Sequence, residues 1–206
     1  MSASPAAPIN PGRSLAPFSV AAVFGLLFIL FPANKALAMS PLVLPLYAAA
    51  LLGMYGSGLK GRGAGWTAFA AAFLSFVAAV GLFITLNQQA DGETAKTLAV
   101  PFYSWIGVGD LSLNFGVWLD PLSSTWSLFV TGIGSLIFLY SISYMHGDPS
   151  YSRYFCYLSL FLFSMMILVL GQNLVLTFLG WEGVGLCSYL LIGFEYQKDS
   201  AAAAGK

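Results

Sequence analysis

From Tyr154 to Phe194 the chain is apolar almost without interruption, and Glu182 is the one charged residue in it. As a single helix rising about 1.5 Å per residue, this stretch would reach roughly 60 Å, about twice the hydrocarbon thickness of a bilayer. It must fold back on itself. The polar turn nearest its middle, Gly171-Gln172-Asn173, is the expected break, leaving antiparallel spans over 153–170 and 174–194 with a very tight connection. Two further stretches satisfy the same length rule: Trp66 to Leu86, and 120–145, which is uncharged from Pro121 to Met145. Ser40 to Tyr55 is shorter and contains Pro41 and Pro45, placed by this reading in its first turns, where a missing N–H does little harm. The predicted fold class is an all-α membrane protein, a polytopic helical bundle of five spans.

Composition agrees. Of 206 residues, 58% are hydrophobic and 8% charged, where a soluble domain carries about 25% charge. Eight Lys and Arg balance eight Asp and Glu, so no basic field exists to attract nucleic acid, which is excluded as a partner. Lys60, Arg62, Arg153, Lys198 and Lys206 follow alternate spans on one side, and Lys35 and Lys96 fall on the other. The first group is therefore expected to be cytoplasmic. The 88–119 connection is then external, and the alternation Leu111-Ser112-Leu113-Asn114-Phe115 suggests a short hairpin there. Residues 1–17, with four prolines, are expected to be a disordered tail. Residues 18–39 form an extra hydrophobic segment with three open readings. The run Phe18 to Phe31 before Ala36-Leu37-Ala38 fits a signal-like segment, an extra span, or a mis-assigned start ahead of Met39. The first two spans and the external loop then occupy 40–119.

Glu182 lies near the middle of its span, where a charge costs at least about 2.5–3.5 kcal/mol. Helical spacing places Phe178, Gly185, Leu186 and Tyr189 on its face, so a hydroxyl and a gap accompany the carboxylate. Two readings stand: a proton-handling carboxyl, or a neutral, hydrogen-bonded structural one. Asp120-Pro121 reads as an N-cap followed by a first-turn proline. Gly180, Gly183 and Gly185 read as sites of close helix approach, or as a loosening that admits water. His146 and Asp148 belong to a tight turn, and Arg153 reads as a lipid-facing or topogenic charge. Cys156 and Cys187 read as reduced, buried small residues. One histidine and two separated cysteines make no metal set.

The run from Trp181 to Phe194, Trp-Glu-Gly-Val-Gly-Leu-Cys-Ser-Tyr-Leu-Leu-Ile-Gly-Phe, resembles the signature of the subunit L (chain 5) family of the proton-pumping NADH:quinone oxidoreductase, respiratory complex I. Val108-Gly109-Asp110, Trp118-Leu119-Asp120-Pro121-Leu122-Ser123, Tyr144-Met145 and Tyr151-Ser152-Arg153-Tyr154-Phe155 look like the same family's segments in the same order, and the resemblance covers about 40–206. It implies that Glu182 is a proton-relay residue of the fifth span, paired with a lysine on a later broken helix, with Tyr189 and Asp120 as supporting candidates. Residues 120–206 would begin the antiporter-like domain. No cofactor is expected on this chain, since NADH, flavin, iron–sulfur clusters and quinone belong to other subunits. Expected partners are the other membrane subunits, lipid and protons. The expected location is the bacterial plasma (inner) membrane, or an equivalent energy-transducing membrane. Family members are several times longer, so the chain reads as an amino-terminal fragment, inactive alone and without the lysine and histidine partners of Glu182. Related subunits of multisubunit cation/proton antiporters or bicarbonate-accumulating complexes share the glutamate, but Gly-Val-Gly-Leu-Cys-Ser-Tyr favours the complex I branch.

Overall fold

The computed structural model describes residues 16–59, 62–88, 97–109 and 111–205. The expectations for 1–15, Lys60, Lys96, Asp110 and Lys206 lie outside the described residues. Among the described residues, five helices are long and apolar enough to cross a membrane: α2 (Ala33–Tyr55), α3 (Gly63–Gln88), α4 (Pro121–Tyr144), α5 (Tyr151–Leu170) and α6 (Leu174–Ile192). They are joined by the 15-residue apolar helix α1 (Ala16–Leu30), the short α7 (Asp199–Gly205), and a hairpin of β1 (Leu98–Val108) and β2 (Leu111–Leu119) between α3 and α4. The chain is a helical multi-pass membrane protein.

Two boundaries differ from expectation. Ala16 and Pro17, assigned to the tail, open α1, which packs on α2 and α3 through Val20, Leu44, Ala48 and Ala71. The segment 18–39 is divided: α2 begins at Ala33 directly after Pro32, so Ala36-Leu37-Ala38 is helical, with Ala36 and Ala38 buried. Pro41 and Pro45 consequently lie well inside α2 instead of in its first turns, and both are buried. The missing N–H groups leave the carbonyls of Leu37 and Pro41 without their helical donors, which membrane helices tolerate because neighbouring helices and local adjustments compensate. The other ends move by a residue or two, at 121–144, 151–170 and 174–192, within ordinary fraying.

The bundle is packed with small residues. α3 buries Ala64, Ala68, Ala71, Ala72, Ala78 and Ala79. α4 buries Ser124, Ser127, Thr131, Ser135 and Ser141, yet leaves Leu122, Trp126, Phe129, Ile133 and Tyr140 outside. With lipid as solvent there is no hydrophobic drive between helices, so close packing of small side chains decides which face turns inward. Four of these α4 hydroxyls bond within their own helix, for example Thr131 Oγ1 to Ser127 O at 2.6 Å and Ser135 Oγ to Gly132 O at 2.7 Å, while Ser141 Oγ meets the Tyr154 hydroxyl of α5 at 3.3 Å.

The hairpin is longer than the alternating run alone suggested. Leu98 pairs with Leu119 and Val108 with Leu111, with register irregularities between Pro101 and Tyr103 and between Ser104 and Ile106. Those irregularities break the period-2 pattern in β1, which hid it from periodicity reasoning. Val117 and Leu119 are buried against the bundle, and Tyr103, Trp105 and Trp118 stay outside.

Candidate functional site

The site is built on α6, whose start is set by the turn at 171–173. Asn173 does two jobs. Its Oδ1 accepts from Leu176 N at 3.0 Å, capping α6, while its Nδ2 donates to Asn114 O of β2 at 2.8 Å. Gln172 N also donates to Gly116 O at 3.2 Å. Glycine is required at 116, because a Cβ there would strike the Gln172 side chain and come within 2.8 Å of Val100 O. The hairpin thus holds the α5–α6 connection from outside.

Along α6, the glycines divide by face. A Cβ on Gly180 would collide with the backbone of Leu168, 2.7 Å from its Cα, and one on Gly183 would lie 2.6 Å from Ser164 Oγ, whereas Gly185 faces open space. Gly180 and Gly183 are therefore contact points with α5, the packing reading. Cys187, fully buried, shares that seam against Ser164, and Cys156 donates from Sγ to Ala49 O at 3.3 Å. Both cysteines are free.

At about 100° per residue, Glu182 falls nearly opposite this seam. It is exposed, together with Phe178 (64%), Trp181 (67%), Leu186 (55%) and Tyr189 (56%). The face expected for Glu182 is the face observed. Among the described residues no helix covers the carboxylate and it has no hydrogen bond or ion pair, because the narrow glycine seam turns the opposite side of α6 outward. Tyr189 accompanies it there. Asp120 does not. It sits at the hairpin end of α4, where its Oδ1 accepts from Ser123 N at 2.6 Å and its own N donates to Ser123 Oγ at 2.9 Å, a reciprocal capping box.

Arg153 departs from the lipid-facing reading. Its Nη2 donates to Phe194 O at 3.1 Å, and its guanidinium lies 4.9 Å from the Phe194 ring centroid and 5.4 Å from that of Tyr196. It turns inward, joining the start of α5 to the end of α6. The aromatic pair flanking Glu195 at the same end of the bundle was the signal for it. Beside it opens a cavity of about 700 Å³ between the ends of α2 and α5, lined by Leu52, Gly56, Leu59, Asp148, Tyr151 and Arg153 among others. No cluster of His, Cys, Asp and Glu among the described residues could hold a metal ion.

Residues 105–155 match the family described as NADH-ubiquinone oxidoreductase (complex I), chain 5 N-terminus, and residues 171–206 match NADH:quinone oxidoreductase/Mrp antiporter, TM. The second match contains the whole of α6 and Glu182. The chain belongs to the subunit L, or chain 5, family. It is 49% identical over 132 residues to NADH-quinone oxidoreductase subunit L of Escherichia coli (strain K12), covering 63% of this chain and 21% of that one. It is 45% identical over 137 residues to the subunit L of Mycobacterium tuberculosis (strain H37Rv), covering 66% and 21%. It is 37% identical over 164 residues to the chloroplastic NAD(P)H-quinone oxidoreductase subunit 5 of Ipomoea purpurea, covering 80% and 22%. The chain therefore spans about a fifth of the length of these relatives.

Proposed function

We propose that this chain forms part of a proton-translocating, antiporter-like membrane subunit of an NADH:quinone oxidoreductase, with Glu182 as the group that takes up and releases the proton. One observation carries the reading. Among the described residues, Glu182 is the only charge in the middle of a membrane-length helix, and it stands on a face that this chain leaves uncovered. A carboxylate at that depth requires a cation, water or a proton beside it, and a covering helix bearing a lysine would supply the cation, as the resemblance implies. Redox chemistry in other subunits, which hold NADH, flavin, iron–sulfur clusters and quinone, would act by changing the charge beside Glu182. This chain takes no electrons and binds none of those cofactors. Its partners are the other membrane subunits, lipid and protons, in a bacterial plasma membrane or an equivalent energy-transducing one, with the hairpin on the external side. Residues 1–206 alone do not pump, because no described span brings a cation to the depth of Glu182.

The test is Glu182→Gln in the complete subunit within the assembled complex. Proton uptake into membrane vesicles during NADH oxidation is expected to fall severely while assembly persists, and pumping at the unaltered rate would remove the relay role. The description of the family matched at 171–206 also names the Mrp antiporter, which supports a second reading as a subunit of a multisubunit cation/proton antiporter or a bicarbonate-accumulating complex. Co-purification with iron–sulfur subunits decides for the first reading, and co-purification with antiporter subunits alone decides for the second.

A further inference from the structure

We propose that Arg153 is a positioning residue that sets the rotation of α6 about its own axis, and with it the direction in which Glu182 points. The consequence for transport rests on the proton-relay reading of Glu182, while the mechanical role does not. The argument starts from how little holds α6 in the middle. Its fully buried residues are Leu176, Gly180 and Cys187, and its approach to α5 runs over Gly180 and Gly183. A seam of glycines gives close approach, with little beyond Ser164 against Gly183 and Cys187 to resist rotation. The ends must therefore supply the resistance.

At the hairpin end, Asn173 does so by bonding both to α6 and to β2. At the opposite end the corresponding group is Arg153. Its donor reaches the carbonyl of Phe194, the residue following the C-cap Gly193, and its planar guanidinium lies near the rings of Phe194 and Tyr196. Tyr154 meets Phe194 edge-on at 5.7 Å, closing the clamp from the neighbouring position on α5. Arg153 holds this pose although its Nε is buried without a hydrogen-bond partner among the described residues, an arrangement that a freely solvated arginine would not adopt. With side chains reaching about 5–6 Å from the axis, a rotation of about 30° displaces the Glu182 carboxylate by roughly 3 Å, enough to break a hydrogen bond. Lysine can supply charge and one donor here, but not the flat guanidinium.

The experiment uses the complete subunit in its assembled membrane complex, with Cys156→Ser and Cys187→Ala, and Gly185→Cys as a probe on the Glu182 face, where a side chain meets nothing within 4 Å. The readout is the rate of labelling by N-ethylmaleimide. Arg153→Met, which loses a charge-assisted hydrogen bond and the ring contacts, is expected to change that rate about tenfold. Arg153→Lys is expected to stay within about threefold of the unaltered arginine, because it keeps the charge and one donor. Without the probe, Arg153→Met lowers proton pumping per assembled complex and Arg153→Lys restores most of it. Equal labelling rates for arginine, lysine and methionine overturn the proposal. Should Arg153→Met fail to assemble, Phe194→Leu removes the ring and keeps the carbonyl; an unchanged labelling rate in that variant overturns the proposal equally. If labelling responds to Arg153 while Glu182→Gln leaves pumping intact, the clamp stands and the proton reading falls.

Discussion

At residue 120 a single carboxylate separates two kinds of role. Asp120 accepts through one carboxylate oxygen from the backbone of Ser123 and its amide donates to the Ser123 hydroxyl, so the side chain is engaged in starting α4. Its loss should read as a lost cap. Asp120→Ala is expected to lower stability by about 1 kcal/mol, and Asp120→Asn, which keeps the acceptor, by a few tenths. Thermal unfolding of the detergent-solubilised complete subunit measures both, and equal losses for the two would exclude the capping role. Glu182 presents the opposite case. Its position on the face with Phe178 and Tyr189 is legible from helical spacing, but whether this chain encloses it is not, because enclosure depends on which helices lie opposite.

Among the elements, α6 shows what glycine does when spacing is the same but surroundings differ. Gly180, Gly183 and Gly185 lie within two turns of one another, and sequence alone assigns them a common role. In the fold, Gly180 meets the backbone of Leu168 and Gly185 meets nothing. Gly180→Ala is therefore expected to force α5 and α6 apart and to reduce the yield of assembled protein severalfold, as overpacking costs about 1–3 kcal/mol. Gly185→Ala is expected to leave the yield unchanged, and assembly assayed by native gel separates the two outcomes. A matching loss for both would mean that the α5–α6 seam is wrongly placed. The β-hairpin behaves similarly: β2 carries the alternation that makes it readable, while β1, with Pro101 and two irregularities of register, becomes a strand only because β2 pairs with it.

For the molecule as a whole, the placement of its described termini and loops follows from an odd number of long spans. The α2–α3, α4–α5 and α6–α7 connections share one end, and the hairpin and the 171–173 turn share the other. Cytoplasmic cations at the first end predict the orientation. A cysteine introduced in place of His146 should react with a membrane-impermeant maleimide only from the cytoplasmic side, and one in place of Tyr103 only from the external side. Both residues are exposed, so access is not limited by burial. The reverse pattern would invert the assignment of sides.

The number of the long spans and their antiparallel alternation, the break at 171–173, the hairpin and the face that carries Glu182 were all legible in the sequence, because hydrocarbon thickness, apolar run length and helical period are local quantities. Three features needed the tertiary structure: the merging of residues 33–39 with the first long span, the inward turn of Arg153 onto Phe194, and the exposure of Glu182. Each depends on partners far along the chain, such as Gly81 of α3 beside Leu37, or the end of α6 beside the start of α5. In lipid, packing of small residues decides those partnerships, and a pattern of small residues reveals that a helix packs closely without revealing against what.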